Sequence, residues 1–251
     1  MVRLDEGYLG DEALLALSRG GEPVAYDLVT EALQHASPTR RQTAARAAQE
    51  LAAWDLVDRL DGDSSAQVRV AVLEAMIVQE DGATGAALNA LLDRDAAVRA
   101  TALTYFEGHP EAPSETLAGA LARARRDRVS DARVAAVAAL RARADHEPLE
   151  RGGIIVRLEE LGASGDYQMR RAASDALEAL GRPRLMIGKV ETDKALELYR
   201  DIVLQTHKKR RFEIATDRGR IVLELDCPTA PMTCLNFAQL AGHGYFDGLT
   251  F

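Results

Sequence analysis

The sequence predicts a mostly α-helical protein, in which stacked helix pairs form an α-solenoid and a short C-terminal β-hairpin plus one helix follow. Three observations predict this fold. Patterns typical of a helix pair recur roughly every thirty residues through residue 181. Only 5% of the residues are aromatic and alanine is abundant, which favours helices packed through small side chains. The last forty residues change to the period-2 alternation of strands with one buried face.

The first two helices precede the clearest repeats. From Asp11 onwards, apolar residues stand three or four positions apart, as on one face of a helix, and the pattern resumes after a break at residues 20–23. The first set is Leu14, Leu15 and Leu17, and the second is Val24, Leu28, Val29 and Leu33. Ser37 and Pro38 have the residue types favoured at the N-cap and at the first position of a helix, so a third helix is expected to begin there.

An arginine marks the first helix of each repeat. It is followed two or three places later by a small residue, and then by an apolar one. The arginines are Arg41, Arg69, Arg99, Arg133 and Arg170, at intervals of 28, 30, 34 and 37 residues. Short polar residues precede four of them and are expected to cap the helices: Asp63, Asp93 and Asp95, Ser130, and Asp166.

A second helix is expected between successive arginine-bearing helices. The expected second helices span residues 54–60, 86–92, 115–124 and 149–161, and turn residues separate the elements at 61–62, 81–82, 108–110 and 162. One helix pair cannot bury its apolar stripe alone, so each repeat is expected to depend on its neighbours.

The recurring D-x-x-V-R-x-x-A pattern resembles HEAT repeats over residues 22–181. The sequence thus predicts a HEAT-like helical repeat domain at residues 1–181, with a related helical repeat class as the alternative. The resemblance implies that recurring aspartates and arginines form a hydrogen-bonded ladder between repeats. The alternative for each arginine is a side chain that lies along the surface with its charge in water.

Residues 182–210 are interpreted as a linker and a helix. Pro183 ends the array, because proline cannot continue a helix, and residues 182–191 are expected to form the linker. A helix is expected from Thr192, with Thr192 or Asp193 as its cap, to about Gln205. Its expected buried face is Leu196, Leu198, Tyr199, Ile202 and Val203. The basic run 207–211 is expected to complement the helix dipole rather than to bind nucleic acid.

The tail predicts a hairpin and then a helix. Two alternating runs, residues 212–216 and 221–225, flank the turn residues Asp217, Arg218 and Gly219. Pro228 breaks the second strand, and Pro231 suits the first turn of a helix that ends at Gly242 and Gly244. The helix carries apolar or small residues at helical spacing: Met232, Leu235, Ala238 and Ala241.

These tail residues resemble the opening of the cyclophilin-type peptidyl-prolyl isomerases, with their A-P-x-T-x-x-N-F helix and G-Y-[YF]-[DN]-G loop. The matching positions are Ala230, Pro231, Thr233, Asn236, Phe237, Gly244, Tyr245, Phe246, Asp247 and Gly248. The resemblance implies that residues 211–251 are an incomplete cyclophilin-like domain, the start of a truncated β-barrel. Without the rest of a barrel, the tail is expected to be mobile, to self-associate, or to lie against the repeats.

The family's catalytic arginine follows the position of Phe251, so the resemblance places it, together with the proline-binding pocket, outside this sequence. Arg218 and Arg220 lie at the expected turn and are not interpreted as substitutes. The sequence therefore predicts no catalytic residue here, and an inactive fragment of a parent isomerase.

Charge and composition limit which partners, metals and cofactors the sequence predicts. The formal net charge is −8, and residues 1–181 hold 20 arginines and no lysine against 30 acidic residues, which disfavours nucleic acid as a partner. Cys227 and Cys234 are interpreted as ordinary small residues, with a reactive or bridging pair as the minority alternative. The scattered histidines have no metal-ligand spacing, Trp54 is expected in the core, and neither a metal nor a cofactor is predicted.

The functional prediction is a cyclophilin-type isomerase fused to a HEAT-repeat scaffold. The scaffold would bind protein partners and hold proline-containing peptide or protein clients near the catalytic module. The alternatives are a non-catalytic HEAT-repeat interaction scaffold and, disfavoured by the acidic charge, a nucleic-acid enzyme. The sequence contains no run of eighteen apolar residues, so it predicts no membrane-spanning helix. As written the chain is predicted to be cytoplasmic; a signal peptide missing from a truncated N-terminus would make the parent periplasmic or exported.

Overall fold

A computed structural model of the protein describes residues 8–189 and 195–248. The chain divides into two compact units, residues 1–189 and residues 190–251. The described helices of the first unit are α1 Tyr8–Arg19, α2 Ala25–Ala32, α3 Pro38–Glu50, α4 Trp54–Asp58, α5 Ala66–Gln79, α6 Ala83–Ala90, α7 Ala96–Gly108, α8 Ser114–Ala124, α9 Asp131–His146, α10 Pro148–Leu161 and α11 Tyr167–Ala179.

The first unit is a helical solenoid, as the sequence predicts. The arginine-bearing helices α3, α5, α7, α9 and α11 pack in succession, each against the next, and the second helices α4, α6, α8 and α10 lie between them in chain order and pack against these helices. Two apolar clusters fill the stack, one from α1 to α5 and one from α5 to α11. Each repeat therefore buries its apolar stripe against its neighbours.

Small residues allow the helices to approach closely. Helix α9 shows this best, because it packs against α7, α8, α10 and α11. Its fully or almost fully buried side chains are Ala132, Ala136, Val137, Ala139, Leu140, Ala142 and Ala144. Trp54 is partly buried against the first cluster, as expected of a packing residue.

An arginine–aspartate ladder joins successive repeats. Arg41 donates two hydrogen bonds to Asp63, at 2.7 and 2.9 Å, and Arg69 donates two to Asp93, both at 2.8 Å. The next two rungs join Arg99 to Asp127 at 2.5 Å and Arg133 to Asp166 at 3.1 Å. The side chains of these arginines are only 4 to 13% exposed, which excludes the surface alternative for all four.

Each ladder arginine also bonds to its own repeat. Its Nη1 atom donates to the carbonyl oxygen six residues earlier; the five acceptors belong to His35, Asp63, Asp93, Asp127 and Ser164. For the four arginines of the ladder, the guanidinium thus fixes the turn before its own helix and the turn before the next, whereas Arg170 fixes only the turn before its own helix. The hydrogen bond from Arg41 holds the pKa of Asp63 below its ordinary value, and that from Arg69 does the same for the pKa of Asp93.

The predicted caps are correct for some helices and wrong for others. Asp95 and Asp166 are N-caps whose carboxylates accept backbone N–H bonds. Ser37 and Ser130 occupy N-cap positions without a side-chain capping bond. Asp63 and Asp93 are not N-caps, because they lie two residues too early and use their carboxylates in the ladder; the N-caps there are Ser65 and Asp95.

The segment after α11 covers the end of the array. Arg170 has no following repeat, and its Nε donates instead to the carbonyl oxygen of Ile187 at 2.7 Å. The N–H of Leu185 donates to the Ser174 hydroxyl, and its side chain packs against the second apolar cluster. Within residues 182–189, Leu185 and Ile187 therefore contact the last helix of the array.

Glu150 connects three helices, and its low pKa predicts how the stability of the first unit depends on pH. Its carboxylate accepts from Arg143 on α9, at 2.6 and 3.2 Å, and from the N–H of Ser114 at the start of α8. The Arg143 hydrogen bonds, then those from Ser114, lower the pKa of Glu150 to about 2. The side chain remains 28% exposed, so solvent screens part of this interaction.

Glu150→Gln is expected to lower the free energy of unfolding by about 1–2 kcal/mol at pH 7. Because the folded pKa is depressed, this contribution is complete above the ordinary pKa near 4.5 and is lost as the pH falls towards 2. Urea titrations of both proteins at pH 7, 4 and 3 measure the difference. Glu159→Gln, which breaks an exposed pair with Arg182, is the control and should change stability little at any of these pH values.

The second unit contains helix α12 Leu196–Gln205, strands β1 Arg210–Thr216 and β2 Gly219–Leu225, and helix α13 Pro231–Gly242. The predicted buried face of α12 is only partly correct: Ile202 is buried and Tyr199 is partly buried, whereas Leu196, Leu198 and Val203 are 42 to 59% exposed. The helix starts after Ala195, and its predicted caps Thr192 and Asp193 lie outside the described residues. No helix within residues 8–189 or 195–248 is long and apolar enough to cross a membrane.

Candidate functional site

The hairpin of the second unit has the predicted register. Strands β1 and β2 are antiparallel, with Phe212 opposite Leu223 and Ile214 opposite Ile221, and Asp217 and Arg218 form the loop. Period-2 alternation therefore places these four apolar side chains on one face. Of the four, Phe212, Ile214 and Leu223 are partly buried, and Ile221 is 44% exposed. The hairpin does not close into a barrel within the described residues.

Phe237 ties helix α13 to this hairpin. Its ring makes an edge contact with Phe212 of β1 at a centroid distance of 5.0 Å, and it stacks on Phe246 of the following loop at 5.1 Å. Aromatic pairs of this geometry contribute about 0.5–1.5 kcal/mol beyond their buried area. The N-F pair of the helix motif thus supplies the central ring of a small aromatic cluster.

Gly244 shapes the loop that follows α13. The N–H of Gly244 donates to the carbonyl of Ala241, and that of Tyr245 donates to Leu240, which is the Schellman arrangement for ending a helix. The arrangement needs a left-handed residue, and Gly244 has φ of 71°. A Cβ atom at this glycine would also lie 2.9 Å from Asp247 Oδ2. Gly244 and Asp247 of the G-Y-F-D-G motif therefore have a structural reason to occur together.

Three arginines of the hairpin, Arg210, Arg211 and Arg220, make side-chain hydrogen bonds. Arg220 donates to Glu213 across the strands at 2.7 Å, and Arg211 donates to Glu224 at 3.1 Å. The Arg211 hydrogen bond, together with the charge of Lys209, lowers the pKa of Glu224. Arg210 donates to the carbonyl of Gln205 at the end of α12, as expected for basic residues at a helix C-terminus. Arg220 is therefore held by a carboxylate rather than presented to a substrate.

The two cysteines are not ordinary small residues, because the structure joins Cys227 and Cys234 in a disulfide. Their side chains are 0 and 3% exposed. The bond links the segment after β2 to the first turn of α13. The other buried residues of this unit among residues 195–248 are Ile202 of α12 and Thr206, the C-cap of that helix. The disulfide therefore takes the place of part of an apolar core.

Reducing this disulfide is expected to loosen the second unit. The loop it closes spans seven residues, for which chain entropy predicts about 2.5 kcal/mol of stabilisation. In reductant, amide hydrogens of α13 and β2 should exchange faster, while those of the first unit should not change. The Cys227→Ser and Cys234→Ser double variant should show the same faster exchange without reductant. Equal protection in both states would contradict the structural role of the bond.

The surface grooves of the described part of the first unit include two beside helix α6. The larger, of about 480 Å³, is here named the α5 groove; its exposed lining residues include Asp58, Asp61, Asp81 and Asn89, and its apolar lining includes Leu73 and Met76. The second has a volume of about 360 Å³ and lies between α6 and α8, with Leu88, Leu92 and Arg123 in its lining. No group of acidic, histidine or cysteine side chains suited to a metal ion occurs among the described residues.

Comparison with known proteins supports the tail resemblance. Residues 211–251 match the model of the family described as cyclophilin type peptidyl-prolyl cis-trans isomerase/CLD. A stretch of 39 residues is 49% identical to the peptidyl-prolyl cis-trans isomerase ppi1 of Schizosaccharomyces pombe. This stretch covers 16% of the present chain and 25% of that relative.

The chain is also similar to solved structures of engineered and designed proteins. An engineered protein is 17% identical and aligns over 70% of this chain and 92% of its own, with a TM-score of 0.42. A computationally designed armadillo repeat protein for modular peptide recognition is 20% identical and aligns over 68% and 91%, with a TM-score of 0.43.

Proposed function

We propose that residues 211–251 are the opening part of a cyclophilin-type prolyl isomerase domain, and that the solenoid before them is a HEAT-class scaffold for protein partners. In this proposal the domains are residues 1–181, 182–210 and 211–251, and the clients are proline-containing peptides or proteins. The observation that carries the proposal is the match of residues 211–251 to the isomerase family, at positions that form the Phe237 aromatic cluster and the Gly244 loop.

The chemistry explains why the 251-residue chain is proposed to be inactive alone. Rotation about an X–Pro bond must overcome a barrier of about 20 kcal/mol, set by amide resonance. Catalysis requires a donor that stabilises the twisted amide and an apolar site that holds the proline ring. In the hairpin, Arg220 is paired with Glu213 and Arg218 lies in an exposed two-residue loop.

A chimaera tests the isomerase part of the proposal. The residues of the Schizosaccharomyces pombe isomerase that follow its matched stretch are joined directly after Phe251, and isomerisation of an X–Pro test peptide is followed by exchange NMR. The chimaera should accelerate isomerisation, whereas the 251-residue chain should leave the uncatalysed rate unchanged. Phe237→Ser in the chimaera should abolish the gain by removing the central ring of the aromatic cluster. Turnover by the 251-residue chain itself, or a folded but inactive chimaera, would contradict the proposal.

A non-catalytic scaffold is the second candidate, and the ladder favours it. Four interlocked rungs and two continuous apolar clusters give the first unit a core built from its own residues. If residues 1–189 expressed alone recover every partner that the whole chain recovers, and the chimaera is inactive, the scaffold is the function. A partner that requires residues 211–251 would favour the fused isomerase.

A further inference from the structure

The α5 groove combines an apolar lining with uncompensated negative charge. Asp58, Asp61 and Asp81 are exposed, and none of them has a hydrogen bond or an ion pair to a side chain in the described part of the protein. Arg69 is the basic residue in the lining, but Asp93 already accepts two of its hydrogen bonds at 2.8 Å. The charge of Arg69 is therefore matched within the ladder, and the three other carboxylates remain free to attract cations.

The lengths of the second helices explain why the groove exists here. Helix α4 has five residues and α6 has eight, whereas α8 has 11 and α10 has 14. From the short helix α4 only Asp58 lines the groove, and the rest of the lining comes mainly from α5 and α6. The lining at that point includes Leu73, which is 4% exposed, and Met76, which is partly exposed. A volume of about 480 Å³ lies in the range of sites that hold organic ligands.

The positions of the three carboxylates favour a peptide over a small cation as the occupant of the α5 groove. Asp58 ends α4, Asp61 lies in the turn that follows, and Asp81 lies in the turn between α5 and α6. They thus come from two different turns of the array, on either side of α5. No group of acidic side chains among the described residues is arranged to hold a metal ion, and a small cation gains nothing from Leu73 or Met76. An occupant with two or more positive charges and an apolar side chain satisfies both kinds of lining.

We propose that the α5 groove binds a basic segment of a partner protein, in which lysine or arginine side chains meet Asp58, Asp61 and Asp81 and a neighbouring apolar side chain contacts Leu73 and Met76. This inference rests on the proposed scaffold function and specifies its partner. Exposed carboxylates at such a groove attract the segment over distances up to the Debye length, about 10 Å at 0.1 M salt. Binding should therefore weaken as salt is raised.

The test uses the whole 251-residue chain and a labelled octapeptide in which lysine and arginine alternate with leucine. Fluorescence anisotropy measures its binding at low and at moderate salt. Two control peptides of the same length are compared with it: in one, glutamate replaces the basic residues, and in the other, serine replaces the leucines. Both should bind at least tenfold more weakly than the basic peptide. Equal binding of the serine peptide, or binding of spermidine in preference to all peptides, would overturn the proposal, because the apolar lining would then have no part.

Paired variants locate the binding site. The triple variant Asp58→Asn, Asp61→Asn, Asp81→Asn should weaken binding about tenfold, as three modest ion pairs would. A control removes three exposed carboxylates outside the groove lining, Glu31→Gln, Asp131→Asn and Glu160→Gln, and should stay within about twofold of the wild type. Equal losses in both triple variants would mean that the general acidity of the array is responsible, which would overturn the groove assignment.

Asn89 offers a single-residue version of the same test. It is exposed in the groove lining and its side chain makes no hydrogen bond among the described residues, so substitutions there should not disturb folding. Asn89→Arg places a positive charge among the carboxylates and should weaken binding of the basic peptide at least tenfold, whereas Asn89→Gln should not. If Asn89→Arg binds the peptide as the wild type does, the partner lies elsewhere on the array and the scaffold proposal survives without this groove. If the wild type does not bind the basic peptide, this inference fails, while the chimaera still tests the isomerase proposal.

Discussion

Replacing Arg99 by leucine is expected to lower the free energy of unfolding of the first unit by about 3 kcal/mol. Arg99 is the most buried ladder arginine, with 4% of its side chain exposed. It donates to Asp127 at 2.5 Å and to the carbonyl of Asp93 at 2.6 Å. Removing it leaves a carboxylate that is only 16% exposed, and a turn carbonyl, without their donor. The loss of this donor costs far more than the leucine side chain can return by burial.

Thermal unfolding measures this loss as a decrease in Tm of about 6–12 °C for a unit of this size. Arg46→Leu is the control, because Arg46 lies 3.9 Å from Glu74 and both side chains are about half exposed; it should change stability by less than about 0.5 kcal/mol. The double variant Arg99→Leu, Asp127→Leu should recover part of the loss, since no carboxylate is then left unpaired. Equal effects of Arg99→Leu and Arg46→Leu would show that the ladder adds no stability.

The sequence predicted that arginines and aspartates form a ladder, but not which aspartate pairs with which arginine. The spacing of the arginines located them, and the resemblance to HEAT repeats supplied the expectation of aspartate partners. The sequence nevertheless contains a signal for this pairing that the repeat pattern alone does not use: an aspartate stands six residues before Arg69, Arg99 and Arg133. These are Asp63, Asp93 and Asp127, the acceptors of three of the four rungs. The position six before Arg170 is Ser164, which has no carboxylate, so Arg133 pairs with Asp166 instead.

The errors in the second unit have one physical origin. Helical periodicity tells which residues share a face, but not whether another element covers that face. The apolar face of α12 was therefore predicted to be buried, yet Leu196 and Val203 remain more than half exposed. The same lack of a large core explains the importance of the Cys227–Cys234 bond, which two cysteines seven residues apart do not predict by themselves. The α5 groove was not predictable either, because it depends on how α5 and α6 pack beside the short helix α4.

Replacing Leu140 by aspartate is expected to unfold one end of the solenoid and leave the other end folded. Leu140 is fully buried in the centre of α9, within the apolar cluster that extends from α5 to α11. The change loses about 2 kcal/mol of burial and adds an unpaired carboxylate that costs several kcal/mol more. Helices α1 to α4, with one side of α5, form a separate cluster, and in a repeat array stability depends on neighbouring repeats. Unfolding caused by the substitution should therefore not extend beyond α5 into α1 to α4.

The single tryptophan of the chain reports on the intact end, because Trp54 packs against the cluster of α1 to α5. In Leu140→Asp, far-ultraviolet circular dichroism should show a loss of helix and amide protection should disappear from α7 to α11, while the Trp54 emission remains that of the native protein. Val134→Asp is the control on the same helix, since Val134 is 36% exposed and close to the N-terminus of α9, where a negative charge is favourable. Loss of native Trp54 emission together with the helix signal in Leu140→Asp would show that the array unfolds as one cooperative block. In that case the two clusters would not be separable units of stability.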